Sequence, residues 1–413
     1  MGESGEKLKQ DTKRFVKSIF SRYYSKIARK FIEEPTRIAS REFGFNLFDK
    51  GIVRHLSFRT KDELIEYLRR NNPSDCYYSS ALYINPTASM DAKGWMGAEL
   101  IFDIDADHIP TNCKVEHDRW LCLSCGCEGV GEVPDKCPNC GGDKLEQRVW
   151  FCEGCLIAAK REAMKLLDIL SSDFGIREDT VNIYFSGHRG FHIHVSGEVE
   201  GLDQNARREI ADYLLCVGLD PTIYLDRMII SKGVNGAKLR MIRALYDFIS
   251  STSIEGFSAI GLGRRGVEAI VNSRDRILEK VLEGEFDGIA REIGVANLRK
   301  LIAKVVEYLA VRIDPVVTLD THRLIRLPGS LHGKTGFIKA RVGSSMESLE
   351  DYDPLSEAMP FRNSDEQVKL YVHLSPRFRV GEEYFGPFKD EYVYLPLQPA
   401  LLLLCKGVAY ISS

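Results

Sequence analysis

Apolar residues along this chain change their period several times, and each change marks an element. Between residues 9 and 31, Phe15, Ile19, Tyr23, Ile27 and Phe31 recur every four positions, which predicts one amphipathic helix. The spacing then shortens. Residues 41–48 and 52–58 flank the turn Asp49-Lys-Gly51 as the arms of a β-hairpin would, and residues 61–70 read as a short helix. Strands are predicted at 76–84 and 97–104, and a helix at 156–170. A second hairpin, built from 180–186 and 191–195 around a glycine-rich turn, precedes a helix at 205–217. Between 218 and about 294 the strand signal fades into charged, helix-favouring segments, which predicts a small helical subdomain. Strand character returns at 311–342. The chain therefore leaves a mixed central sheet with flanking helices and comes back to it, an α+β fold.

The strand predicted at 97–104 runs into Leu100-Ile-Phe-Asp-Ile-Asp105, where an apolar run ends in two carboxylates two residues apart. That spacing puts Asp103 and Asp105 on one face of a strand. Beside Leu100, Ile101, Phe102 and Ile104, two convergent carboxylates are costly unless a cation neutralises them. Mg²⁺, commonly held by one or two carboxylates plus substrate phosphates, fits the pattern and suggests metal-assisted phosphoryl or nucleotidyl transfer. A strand ending in an acidic, solvated turn would carry the same residues.

Cysteines follow at once. Cys122-Leu-Ser-Cys125-Gly and Cys137-Pro-Asn-Cys140-Gly-Gly are two knuckles of a zinc ribbon, and Cys152-Glu-Gly-Cys155 is a third pair. Cys113 and His117, just before the ribbon, complete a Cys₃His set with Cys152 and Cys155, so two Zn²⁺ sites are expected. Disulfides compete as an explanation, but paired short spacings in a chain without a secretory leader favour metal. Cys127 lies off the paired pattern, and Cys76, Cys216 and Cys405 read as small core residues.

Composition sets milder bounds. With 413 residues, 44% hydrophobic and 28% charged, the chain is long enough for one large domain with one or two appendages. A net charge of −3 excludes a uniformly basic surface and leaves nucleic acid a local groove at most. The first residues carry no apolar leader, Glu6 stands where myristoylation needs Ser or Thr, and the apolar run 400–405 is too short for a bilayer. A soluble, cytoplasmic protein without membrane contact is expected.

Two more segments bear chemistry. Ser186-Gly-His-Arg-Gly-Phe-His192 offers a hydroxyl, backbone amides in a glycine-rich turn, Arg189 and His192, a plausible phosphate cradle. The returning segment sets Asp314, held extended by Pro315, before Arg323, Arg326, His332 and Lys334. A carboxylate beside a cationic cluster is what holding metal and triphosphate together requires. A solvated basic loop is the plainer account of it.

In this order the motifs resemble the catalytic small subunit of archaeal and eukaryotic DNA primases, the archaeal type most closely. The resemblance covers residues 41–336. It rests on Arg41-Glu-Phe, Phe102-Asp-Ile-Asp, a zinc knuckle before a helix, Ser186-Gly-x-Arg-Gly-x-His, and Arg312-Ile-Asp followed by Ser330-Leu-His-Gly-Lys-Thr-Gly. It implies Asp103, Asp105 and Asp314 as the Mg²⁺- or Mn²⁺-binding catalytic triad. Ser186, Gly187, Arg189, His192, Arg326 and His332 are implied around the incoming nucleoside triphosphate, with Glu42 and Arg54 at further active-site positions. The family's zinc knuckle maps to Cys113, His117, Cys152 and Cys155, so the ribbon at about 120–149 is an insertion. The implied organisation is a primase catalytic domain of 1–217 and 295–413, a zinc-binding region at 113–155 and the helical subdomain at 218–294.

The implied activity is primer synthesis on a single-stranded DNA template by two-metal nucleotidyl transfer, in a heterodimer with the primase large subunit. Three other functions compete: a primer-extending repair polymerase of the same superfamily, a two-metal nuclease, and a non-catalytic zinc-dependent nucleic-acid-binding module. Hydrolysis of a phosphodiester needs no site for a whole triphosphate, so the paired cradles weigh against the nuclease. Residues beyond about 350 carry no motif.

Overall fold

A computed structural model describes residues 3–150, 152–218 and 237–412. The α+β class holds. Among the described residues the strands form six sheets, and every named strand pairing is antiparallel. The chain divides into two compact units, one of Met1–Met164, Glu178–Arg207 and Ile313–Ser413, the other of Lys165–Arg177 and Arg208–Arg312.

Two four-stranded sheets carry the first unit. One orders its strands Leu324–Arg326, Asp75–Ser79, Phe43–Leu47, Gly51–Leu56; the other runs Ala340–Gly343, Val181–Phe185, Gly190–Val195, Leu100–Asp105. Hydrophobic alternation sets their register. Phe43, Phe45, Leu100, Phe102, Ile104, Phe191 and Ile193 are all fully buried or nearly so, and a one-residue slip would exchange the second sheet's apolar face for the one that carries Asp103, Asp105 and His192. Phe102 pairs with Ile193, His192 with Asp103 and Gly190 with Asp105. Gly190 is required there, because a Cβ would come within 2.0 Å of the Ile104 carbonyl oxygen.

The expected helix at 9–31 is two helices, Glu3–Lys26 and Ala28–Phe31, packed through buried Ile19, Phe20, Tyr23 and Tyr24. The returning segment also departs from expectation. It begins with a short helix, Pro315–Leu319, and reaches strands only at Leu324–Arg326 and Ala340–Gly343. The reason is local: Asp314 caps the helix by accepting the Val316 N–H at 2.9 Å, and Pro315 occupies the first helical position, where its missing N–H costs nothing.

Residues beyond 350 form a three-stranded sheet, ordered Phe388–Pro396, Gln367–Ser375, Ala409–Ile411, and a buried helix, Leu397–Cys405. That helix lies directly under the loop after His332. Gln398 donates to the Gly336 carbonyl at 3.3 Å, and a Cβ on Gly336, whose φ is 72°, would strike Leu401 at 2.6 Å.

The ribbon is a sheet of Glu128–Val130, Arg119–Cys122 and Leu145–Arg148, in which Arg119 and Arg148 are cross-strand partners. Its two ends therefore lie side by side.

The second unit is helical among its described residues, with Leu245, Phe257, Ile270, Ile277, Ile289, Leu298 and Val305 in a separate core. It takes in the stretch read as a helical subdomain, of which residues 219–236 lie outside the described residues.

Candidate active site

Strand register brings the first two acids to one place, and the returning segment adds the third. Asp103 and Asp105 alternate with buried Phe102 and Ile104, so both carboxylates face a cleft of about 180 Å³. Asp314 joins through its backbone, its N–H donating to the Asp103 carbonyl at 2.8 Å. Burial, with Asp105 and Asp314 close by, pushes the Asp103 carboxyl up to about 7. Burial also raises Asp105, against the pull of Arg189.

The two cradles predicted from separate motifs line the same cleft. Ser186, His188, His192, Arg323, Arg326 and His332 all reach it. Ser186 Oγ accepts the N–H groups of His188 and Gly190, each at 3.2 Å, which closes the turn and leaves Gly187 at a φ of 85°. A side chain on Gly187 would approach the His332 Cβ at 3.0 Å, so the glycine lets the two motifs meet. His188 and His332 stack with ring centroids 5.2 Å apart.

All three histidines are held neutral. Burial lowers His188, His192 and His332 well below the usual imidazole range, reinforced by Lys406 at His188, by Lys339 at His192 and by Arg326 at His332. The Lys334 N–H donates to His332 Nδ1 at 3.1 Å, so the ring carries its proton on Nε2. His192 Nε2 lies 3.5 Å from Asp103 Oδ1.

Arg326 donates to Asp75 Oδ1 at 2.7 Å and stacks over the Tyr77 ring at 5.3 Å. His188, Asp75, Tyr77 and Lys406 escaped sequence reasoning. His188 was the readable one, since it sits inside a motif already singled out; Lys406 reaches it from the far end of the chain, its Nζ 2.7 Å from His188 Nε2 and 3.2 Å from the Val149 carbonyl.

Five predicted active-site residues do not line this cleft: Asp314, Gly187, Arg189, Glu42 and Arg54. Arg189 is fully buried and faces Asp105, Asp107 and Asp118 while donating to the Trp150 carbonyl at 2.9 Å. A buried guanidinium needs neutralising charge, and these carboxylates supply it. Glu42 is fully buried against Lys93 and 3.2 Å from Arg54 Nε, and its carboxyl titrates lower than usual, burial being outweighed by Lys93 and Arg54.

Both cysteine groups assemble. The ligand atoms of Cys113, His117, Cys152 and Cys155 lie within 4.8 Å of one another, as do those of Cys122, Cys125, Cys137 and Cys140. Sulfur pairs such as Cys113–Cys155 and Cys122–Cys140 are 3.6 Å apart, too far for a disulfide and suited to a shared cation. Cys127 belongs to neither group. Among the described residues no helix is long and apolar enough to cross a membrane.

Known proteins with similar sequences point one way. The family model for the DNA primase small subunit matches residues 135–344, a span that includes Ser186–His192 and Asp314–His332. Full-length relatives extend the match over Asp103 and Asp105. The DNA primase small subunit PriS of Cenarchaeum symbiosum is 36% identical over 94% of this chain and 96% of its own length. Those of Archaeoglobus fulgidus and Nitrosopumilus maritimus are 34% and 30% identical over 97% of this chain and 99% and 98% of theirs.

Proposed function

Because the chain belongs to the family of DNA primase small subunits, we propose that the cleft around Asp103 joins nucleoside triphosphates into short primers on a single-stranded DNA template. The observation that carries this reading is the meeting of the Asp103 and Asp105 carboxylates with an arginine- and histidine-lined cradle in one cleft, to which the Asp314 backbone is tied by its bond to Asp103.

Asp103, Asp105 and Asp314 are the hard oxygen donors that would hold Mg²⁺ or Mn²⁺, and the burial and neighbouring acids that raise Asp103 to about 7 set a penalty on its charge that a cation there would relieve. When bound, the ions would lower the pKa of the attacking 3′-hydroxyl and screen the triphosphate. The protein's own groups do the remaining work. Arg323 and Arg326 oppose the charge that builds on the leaving pyrophosphate, with Arg326 pre-aimed by Asp75. Neutral His332 presents Nε2–H as a donor to a phosphate oxygen. Ser186 holds the turn that brings His188 alongside it. Arg189 contributes by bracing Asp105 from behind. Each cysteine group is a set for one structural Zn²⁺, and the primase large subunit is the expected heterodimer partner.

Unprimed single-stranded template with labelled nucleotides, with and without the large subunit, tests the reading. Divalent-ion-dependent primers from the native chain and none from Asp103→Ala are expected. Extension of a pre-annealed primer alone would mean a repair polymerase, template degradation a nuclease, and template binding without incorporation a non-catalytic module.

A further inference from the structure

A line of buried polar contacts joins the Cys113, His117, Cys152, Cys155 group to the aspartate cleft. His117 turns Nε2 to the group, 3.4 Å from Cys155 Sγ, and its Nδ1 lies 2.9 Å from Asp118 Oδ1. That oxygen also accepts the Trp150 N–H at 2.8 Å, while Asp118 Oδ2 lies 3.5 Å from Arg189 Nη1. Arg189 Nε in turn stands 3.3 Å from Asp105 Oδ1, and its other nitrogen pairs with Asp107. His117, Asp118 and Arg189 are only 6%, 2% and 0% exposed, so water screens these contacts little.

We propose that Asp118 is a positioning residue that shares Arg189 with Asp105, and so couples the cysteine–histidine metal group to divalent-ion binding in the aspartate cleft. The inference rests on the reading of both groups as metal sites, and adds to it a residue outside every motif. A carboxylate behind a metal-bound imidazole fixes the ring's tautomer and orientation. Here its second oxygen has a further task. It takes a share of the guanidinium's charge, so that Asp105 does not neutralise Arg189 alone and keeps negative charge for a cation. With the Asp118 charge gone, Arg189 settles on Asp105 and Asp107 and competes with the divalent ion directly.

The test titrates Mn²⁺ into the full-length, zinc-loaded chain and reads free Mn²⁺ by electron paramagnetic resonance. Asp118→Asn should keep its zinc, bind Mn²⁺ about tenfold more weakly, and lower kcat at fixed Mn²⁺ with KM for nucleotide little changed. Asp118→Glu should recover part of the affinity. Unchanged Mn²⁺ affinity in zinc-replete Asp118→Asn overturns the proposal. Should that variant not fold, Arg189→Lys, which keeps the charge and loses the fork, decides: unaltered Mn²⁺ affinity there overturns it too. A native chain that binds no Mn²⁺ refutes the reading of the cleft, and this proposal with it.

Discussion

Arg326 and Asp75 sit on neighbouring strands, and the guanidinium donates to the carboxylate at 2.7 Å while the Gly333 N–H donates to the same oxygen at 3.1 Å. One partly buried acid thus orients both the cationic side chain and the loop that carries His332. Burial raises the Asp75 carboxyl, but Arg326 outweighs it and holds the group ionised.

Asp75→Asn should therefore raise KM for nucleoside triphosphates about tenfold, with a smaller effect on kcat. A charge-assisted hydrogen bond is worth about 1.5–3 kcal/mol, and its loss lets Arg326 leave the cleft. Steady-state kinetics with template saturating measures it; an unchanged KM would remove Asp75 from the cradle.

Asp103 gives a stability prediction with a defined sign. Its folded pKa of about 7 lies above the model-peptide carboxylate value near 3.9, so folding takes up a proton in between and stability falls as pH rises from about 4 to 7. Asp103→Asn removes that loss. In metal-free buffer the variant should gain on the order of 2–4 kcal/mol relative to the native chain at pH 8 compared with pH 4. Denaturant melts at the two pH values check this, and a pH-independent difference would contradict it.

Lys406 carries a prediction for the region without motifs. Burial, Arg189 and Lys334 push its ammonium down to about 7, and it reaches both His188 and the Val149 carbonyl. Lys406→Met should weaken nucleotide binding several-fold and leave template affinity unchanged, since His188 loses its support. Nucleotide and DNA titrations on the same preparation separate the two; equal losses would indicate a wider collapse.

The two cysteine groups should differ in importance. Cys152→Ser removes a ligand at the start of the helix Glu153–Ser172 and should unfold or inactivate the protein, because structural zinc contributes on the order of 10 kcal/mol where a small region depends on it. Replacing residues 119–148 by a short linker should leave a folded protein with one zinc, because Arg119 and Arg148 are already cross-strand neighbours. Metal analysis of both variants decides; two zincs in the deletion, or its failure to fold, would be the opposing result.

Much of this was written locally. The Asp-x-Asp at a strand end, the Cys-x-x-Cys pairs and the Gly-rich turn each need only a few neighbouring residues to announce themselves, because strand alternation, thiolate geometry and positive φ are short-range constraints. Arg189 shows the limit. Its motif placed it within the correct turn, yet side-chain direction there depends on which carboxylates lie behind the strand, and Asp107 and Asp118 come from another segment.

By itself the sequence determined the α+β class, the shared strand face of Asp103 and Asp105, the two cysteine groups and the family, since each is a property of residue type and spacing. The tertiary structure alone decided which partners those residues keep. Asp75 on Arg326, Lys406 under His188, and Asp118 behind Arg189 all join segments far apart in the chain. Such pairs leave no periodic trace in the sequence, because what selects them is the cost of a buried, unpaired charge, and that cost exists only once the fold has excluded water.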